Sequence, residues 1–289
     1  MSTTALLAAS ALPVALAALL AAGYPPEPGA DAHTDPEADI PWFFERTVLI
    51  QSGGRTFAGI VWDNSTIITA QHGVYNQTGV AVTDARGAAL PAAILYADQY
   101  SDVAILSAST GMAPLEMSFA GPGDPVYAVG HPSGRPYAVT GGIISSVERG
   151  PPITIQHDAA TATGSSGGPL FDHSGRLVGM NAASDGLSFA VPYHIIANVV
   201  ESVRETGEYS PGCVGVKLDG GVVRAARDEV AGTLRPGDII LSVDGGDPYD
   251  LVYDRRPGEI VEVVLEDRSV LVQLGRMGEW FGIHRCLYR

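Results

Sequence analysis

Residues Gly164 to Pro169 read GSSGGP. This hexapeptide sets Ser166 between glycines, which can leave its hydroxyl and the neighbouring backbone N–H groups accessible. On its own the GxSxG spacing of Gly164, Ser166 and Gly168 says little in a chain with 35 glycines. Upstream, however, lie His72 in ITAQHGV and Asp102 in SDVAILS, so a base and a carboxylate precede the serine. An α/β-hydrolase carries its triad in the order serine, acid, histidine, whereas a chymotrypsin-like barrel runs histidine, aspartate, serine. The α/β reading would need Asp185 and His194 downstream. It would also need a helix after the serine, and Gly167, Gly168 and Pro169 do not open one. A β-barrel is the expectation.

A serine hydroxyl is too weak an acid to attack an amide at neutral pH unless a positioned base takes its proton. His72 is the expected base, because its charge changes near neutral pH. Asp102, bonded to the other ring nitrogen, is expected to fix the tautomer and stabilise the imidazolium. The N–H groups of Gly164 and Ser166 are the expected oxyanion hole. Taken singly, His72 reads as a structural histidine, Asp102 as a turn cap and GSSGG as a flexible loop. Three such features in this order point instead to one site.

A chain of 289 residues has room for two domains. Its net charge is −15 and Lys217 is the only lysine among 17 basic residues, which argues against nucleic acid as a partner and against a basic lipid-binding patch. Cys213 and Cys286 fit one disulfide in an oxidising compartment or two separate thiols. Without a CxxC or a histidine cluster, no metal or other cofactor is expected. Ala5 to Ala22 is apolar apart from Ser10 and Pro13, and a polar, proline-rich stretch follows from Gly23 to Asp39. Residues 1–40 therefore read as an export signal or membrane anchor with a linker. The first basic residue is Arg46, so the usual orienting charge is missing, and cleavage and retention both stay open.

From Glu45 onward short β-rich segments alternate with Gly, Pro and Asp turns, as in TFAGIVW, DVAILS and PVYAVG. The first helical periodicity is VPYHIIANVVESVRETG, with Ile195, Ile196, Val199, Val200 and Val203 on one face and a stop at Gly207. A second, β-rich segment follows, with turns at Pro236–Gly237, Gly245–Gly246 and Pro257–Gly258. The expected division is thus 41–207 and 208–289.

The runs ITAQHGV, SDVAILS, VYAVGHPSG, VTGGIISS, IQHDAATATGSSGGPLFDHSGRLVGMNA and LSFAVP resemble, in order and spacing, the trypsin-like serine proteases of the HtrA (Deg) family. The likeness covers about Glu45 to Gly207. CVGVKL, LRPGDIILSVDG and RRPGEIVEVVLED resemble the PDZ domain that follows the protease in that family. The resemblance implies a mainly β fold, a chymotrypsin-like pair of six-stranded β-barrels followed by a small PDZ-like α+β domain. It implies a serine endopeptidase with His72, Asp102 and Ser166 as triad, Gly164 and Ser166 framing the oxyanion hole, and unfolded or damaged polypeptides as extracytoplasmic substrates. A homotrimer through aromatic residues such as Trp42, Phe43 and Phe44 is implied too, beside the plainer reading that these are core.

By the same resemblance Ala160 lies at the base of the primary specificity pocket, with Met180, Asn181 and Ala182 in its wall. The absence of a carboxylate there implies an uncharged, small aliphatic residue before the cleaved bond. Cys213, Val214, Gly215 and Val216 would supply N–H groups for the C-terminal carboxylate of a peptide ligand. A packing domain without a ligand is the alternative, because the stretch from Gly245 to Gly258 is shorter than the usual helix-bearing segment. Further departures are Gln71 before the histidine, Ser165 before the nucleophile, and His157, which stands at a threonine position and reads as non-catalytic. Rival functions are a polypeptide-binding chaperone or adaptor with little turnover, and an esterase.

Overall fold

The structure is a computed structural model that describes residues 42–276, apart from 135–136, 149–153, 184–186, 220, 227, 229 and 246–254. The apolar run at 5–22, Asp185, Cys286 and most of the shortened 245–258 stretch lie outside the described residues. Seven antiparallel strands build the first half: β1 Thr47–Ser52, β2 Arg55–Val61, β3 Thr66–Ala70, β4 Ala81–Thr83, β5 Ala89–Leu90, β6 Ala92–Asp98 and β7 Val103–Ala108, in the order β5-β4-β1-β2-β3-β7-β6. Gly53 and Gly54, at φ 55° and 75°, close the β1–β2 hairpin. Positive φ at both turn residues matches the twist of the flanking strands. Val48, Ile50, Phe57, Ile67, Val82 and Leu106 fill the interior of this sheet.

The second half is a closed six-stranded barrel of β8 Pro125–Gly130, β9 Ala138–Glu148, β10 Thr154–His157, β11 Pro169–Asp172, β12 Leu177–Ala183 and β13 Ser188–Pro192, in the order β10-β13-β12-β11-β8-β9. Closure leaves no sheet edge to pair with another chain. Val126, Ile144, Ile155, Leu170 and Val178 line it. The fold is thus mainly β and of the chymotrypsin-like, double-barrel class, with the two-residue β5 as an extra strand in the first half.

A third apolar cluster joins the halves through Ile60, Ile68, Val103, Val129, Phe171 and Met180. Against it packs a helix, Tyr193–Thr206, by Ile195, Ile196, Val199 and Val200. Gly207, at φ 85°, caps that helix by donating its N–H to Val203 O. A left-handed C-cap is the usual use of glycine at a helix end. Two four-residue helices precede it in the chain. We name them α1 (Trp42–Glu45) and α2 (Gln71–Val74), and the long helix α3. Trp42 stacks on Phe43 and meets Phe171 edge-on, while Phe44 packs on Tyr137. The aromatic cluster is therefore seated on the second barrel, with Trp42 still 40% exposed.

Beyond α3 the chain forms small antiparallel sheets: β14 (Gly212–Cys213) with β20 (Gly275–Arg276), β15 (Val216–Asp219) with β16 (Val222–Ala226), and β17-β18-β19 (Ile240–Val243, Ile260–Leu265, Ser269–Gln273). They enclose a core of their own around Val214, Val216, Leu218, Val223, Leu234, Val263 and Val272. Arg256 ties this unit to α3, pairing with Glu201 and Glu205 and donating from Nε to Asn198 Oδ1 at 3.2 Å.

Candidate active site

Strand β3, buried along its whole length, runs directly into α2 and delivers His72 at the rim of the first sheet. Asp102 holds it three times over. Gln71 N–H donates to the Asp102 carbonyl at 2.8 Å, His72 N–H donates to Oδ1 at 2.9 Å, and His72 Nδ1 lies 3.0 and 2.8 Å from Oδ1 and Oδ2. Asp102 adopts φ 55°, a left-handed conformation that turns its carboxylate back toward α2. Asp98 secures the preceding turn by accepting from Ser101 N–H at 2.7 Å and Ser101 Oγ–H at 2.6 Å. Burial pushes the Asp98 carboxyl above the usual carboxylate range.

Gly73 allows α2 to lie on Phe57, since a Cβ there would sit 2.9 Å from the ring. Phe57 in turn meets the His72 ring edge-on at 5.8 Å. The hydrogen bond to Asp102 raises the His72 pKa above its ordinary value, against the opposing pull of burial and of Arg55. With Nδ1–H turned to the carboxylate, Nε2 is the basic nitrogen.

The loop that carries Ser166 comes from the second barrel and is wedged against the first sheet. Ala58 N–H, on β2, donates to Ser166 O at 3.0 Å. Gly167, at φ 86°, approaches so closely that a Cβ would fall 2.3 Å from Ala58 O, 2.4 Å from Thr69 Oγ1 and 2.9 Å from Ala70 N. Ser166 is thus fixed beside the strand end that leads into His72. Asn181 fastens the far side of the loop: its N–H donates to Gly168 O, its carbonyl accepts from Gly167 N–H, and its Nδ2 donates to Pro169 O, each at 2.8 Å.

A short turn at Pro132–Gly134 grips the start of the loop. His131 N–H donates to Gly164 O at 3.2 Å and Ser133 N–H to Thr163 O at 2.7 Å. In a trans peptide N–H and C=O point in opposite directions, so binding Thr163 O to the turn aims the Gly164 N–H away from it. Ser165 N–H is committed to Ala162 O at 2.8 Å. His131 itself is 2% exposed, its ring meets that of Tyr137 at 4.1 Å with a tilt of 57°, and neither ring nitrogen has a hydrogen-bond partner among the described residues. Burial lowers its pKa to about 4.

The four residues expected to form the specificity pocket occupy different surroundings. Ala160 is exposed and lines a cavity of about 160 Å³ with Ala128, Pro132, Thr140, Ala162 and Ser165. Met180 and Asn181 are both 0% exposed, Met180 in the core between the halves and Asn181 bound to the nucleophile loop, so neither presents a surface to a substrate. Ala182 is half-buried on β12 and does not line that cavity. His157 is buried and its pKa is lowered by that burial. His194 stands on α3 against Phe119 and Tyr193. Val214 and Val216 point into the core of the C-terminal unit, and Gly215 between them has φ 79°. Among the described residues no cluster has the makings of a metal site.

Sequence reasoning missed Arg55, Phe57, Asp98 and His131. Only Gly73 and the alternation of Arg55 with Phe57 on one strand carried a signal for them.

A family profile described as "Trypsin-like peptidase domain" matches residues 57–180. The probable periplasmic serine endoprotease DegP-like of Halomonas elongata is 31% identical over 300 residues, 87% of this chain and 59% of that protein. The solved structure of the HtrA-type protease AlgW with tripeptide aligns with a TM-score of 0.65 at 25% identity, over 80% of this chain and 94% of its own. The chain belongs to the HtrA-type serine proteases. Protease Do-like 1, chloroplastic, of Arabidopsis thaliana is 32% identical to this HtrA-type chain over 184 residues, 56% of it and 42% of that protein. The serine endoprotease from Yersinia pestis aligns at a TM-score of 0.62 and 25% identity, over 81% of this chain and 95% of its own. The HtrA-type chain spans about six-tenths or less of the length of these curated relatives.

Proposed function

We propose that this HtrA-type chain is a serine endopeptidase with Ser166 as nucleophile, His72 as base and then acid, and Asp102 as the orienting carboxylate. The observation that carries the reading is the Asp102 carboxylate set against His72 Nδ1 at 2.8 and 3.0 Å. The nucleophile loop, moreover, is pinned to the strand end that leads into His72.

In that arrangement Ser166 Oγ bonds to the substrate carbonyl carbon as its proton passes to His72 Nε2. The carbonyl electron pair moves to oxygen, where the N–H groups of Gly164 and Ser166 receive the charge. Collapse of this adduct breaks the C–N bond, and the leaving amine takes the proton from Nε2. Water, deprotonated by the same nitrogen, then cleaves the acyl-enzyme and restores Ser166. Donors preset for the oxyanion are worth about 2.7 to 4 kcal/mol each in the barrier.

Its substrates, on this reading, are unfolded or damaged polypeptides outside the cytoplasm. The periplasmic naming of the Halomonas relative and the tripeptide bound to AlgW support that class. A small uncharged residue before the cleaved bond follows from the neutral lining around Ala160. We assign 41–207 to the protease and 208–289 to a PDZ-like domain in which the backbone at Cys213, Val214, Gly215 and Val216 receives a peptide carboxylate. Trimer formation through the exposed edge of Trp42 completes the reading. Incubation with a denatured protein tests it: fragments from the wild-type chain and none from Ser166→Ala support an endopeptidase. Intact substrate with suppressed aggregation in both would make it a chaperone instead.

A further inference from the structure

We propose that Arg55 forms a subsite for an acidic side chain on the leaving-group side of the cleaved bond. The proposal rests on the endopeptidase reading. Arg55 and Phe57, two apart on β2, share one face of the strand, and that face carries the histidine. The guanidinium carbon lies 5.2 Å from the centre of the Phe57 ring, and Nη2 donates to the His72 carbonyl at 3.4 Å. Phe57 reaches the His72 ring from the same side. Arg55 is thus exposed within contact of the catalytic histidine and held there by a ring and a carbonyl, neither of which neutralises it.

Among the described residues Arg55, like Arg46, Arg86 and Arg235, has no carboxylate partner, but Arg55 alone of these four lies against His72. Arg176, Arg204, Arg255, Arg256, Arg268 and Arg276 all pair with carboxylates. Arg55 differs from those six in forming no ion pair among the described residues while its guanidinium rests on the His72 carbonyl and the Phe57 ring. A guanidinium in this state keeps its bidentate donor face for a carboxylate from outside.

The side of the substrate follows from the proton's path. The leaving amine must face His72 Nε2 to receive its proton, so the residues beyond the cleaved bond run out past His72. Ala58, three residues further along β2, already holds Ser166 O. At a strand rise of about 3.3 Å per residue, Arg55 stands about 10 Å from Ala58. The reach of an arginine side chain brings its charge to the first or second residue after the cleaved bond. Glutamate or aspartate there meets a cation, and lysine meets repulsion.

Matched peptides with Glu, Gln or Lys at each of these two positions test the assignment, in the wild-type chain and in Arg55→Gln and Arg55→Glu. Exposed ion pairs of this kind favour Glu over Gln by about two- to fivefold, with Lys poorer still. The expected kcat/KM ratio of Glu to Lys peptides exceeds one in the wild type, approaches one in Arg55→Gln and inverts in Arg55→Glu. An unchanged ratio in Arg55→Glu, with all peptides slowed alike, would show that Arg55 acts only on His72 and would overturn the subsite. Peptide binding to Ser166→Ala, read by fluorescence anisotropy, needs no turnover. If the wild type cleaves nothing but Ser166→Ala still binds Glu peptides more tightly, and Ser166→Ala/Arg55→Glu does not, the subsite stands and the endopeptidase reading falls. Absence of any such preference in binding and cleavage alike removes the subsite.

Discussion

His72 is constrained from its backbone and its ring by the same aspartate, which makes its titration the most sensitive single readout of the site. Attack requires the neutral imidazole, and the Asp102 hydrogen bond raises the histidine pKa. Activity is therefore expected at high pH and lost as pH falls through a value above the ordinary histidine pKa of about 6.5, measured as the acidic limb of kcat/KM. Asp102→Asn removes the main cause of that shift. It should move the limb to lower pH and cut kcat about 10⁴-fold, as such a change does in a chymotrypsin-type triad. His131 provides an opposite case for stability. Its pKa falls from 6.5 to about 4 on folding, so the unfolded chain binds the extra proton between those values. Stability is then fully present above pH 6.5 and declines as pH falls toward 4, and urea midpoints of His131→Leu should lose part of this slope. The contact of His72 with Asp102 was suggested by the order of histidine, aspartate and serine along the chain. The surroundings of Arg55 and His131 were not, because a contact between a hairpin arginine and a histidine carbonyl, or a buried ring with no hydrogen-bond partner among the described residues, leaves no periodic mark.

Local elements transmit their geometry through glycines whose Cβ would collide with backbone. Gly167→Ala would drive a methyl into Ala58 O and Thr69 Oγ1 at a φ that alanine rarely adopts. Strain of that sort costs about 1–3 kcal/mol before any steric clash is counted. The variant should therefore unfold at lower denaturant and lose activity together. Gly73→Ala meets only the face of the Phe57 ring, which can yield, so a smaller loss of stability with a clear loss of kcat/KM is expected. The strands and α3 could be read from alternation and helical spacing, since each buries a regular face. Helices α1 and α2 were not, because four residues are barely one helical turn and show no period. The burial of Met180 and Asn181 was not legible for a different reason. Spacing places Met180 and Asn181 on β12, but it does not say that one side chain enters the core between the halves and the other is taken up by the Ser166 loop.

Across the whole molecule, the C-terminal unit has its own core, and Arg256 and Arg276 tie it to α3 and the segment after it by ion pairs with Glu201, Glu205 and Glu208. Partly exposed pairs of this kind contribute roughly 0–1 kcal/mol each and weaken with salt. Calorimetry should therefore resolve a separate C-terminal transition that Arg256→Ala or high salt moves away from the main one. A single unchanged transition would argue for tighter coupling of the two units. The end of α3 at Gly207 was legible in the sequence, but the tie through Arg256 required two distant segments to meet. The claim on which all of this turns is that His72 activates Ser166. Labelling with a serine-directed phosphonylating probe, with the adduct located by mass spectrometry, tests it directly. Modification of Ser166 in the wild-type chain and its loss in folded His72→Ala is the expected result. An unmodified Ser166 in the folded wild-type chain, or equal labelling in both, would contradict it.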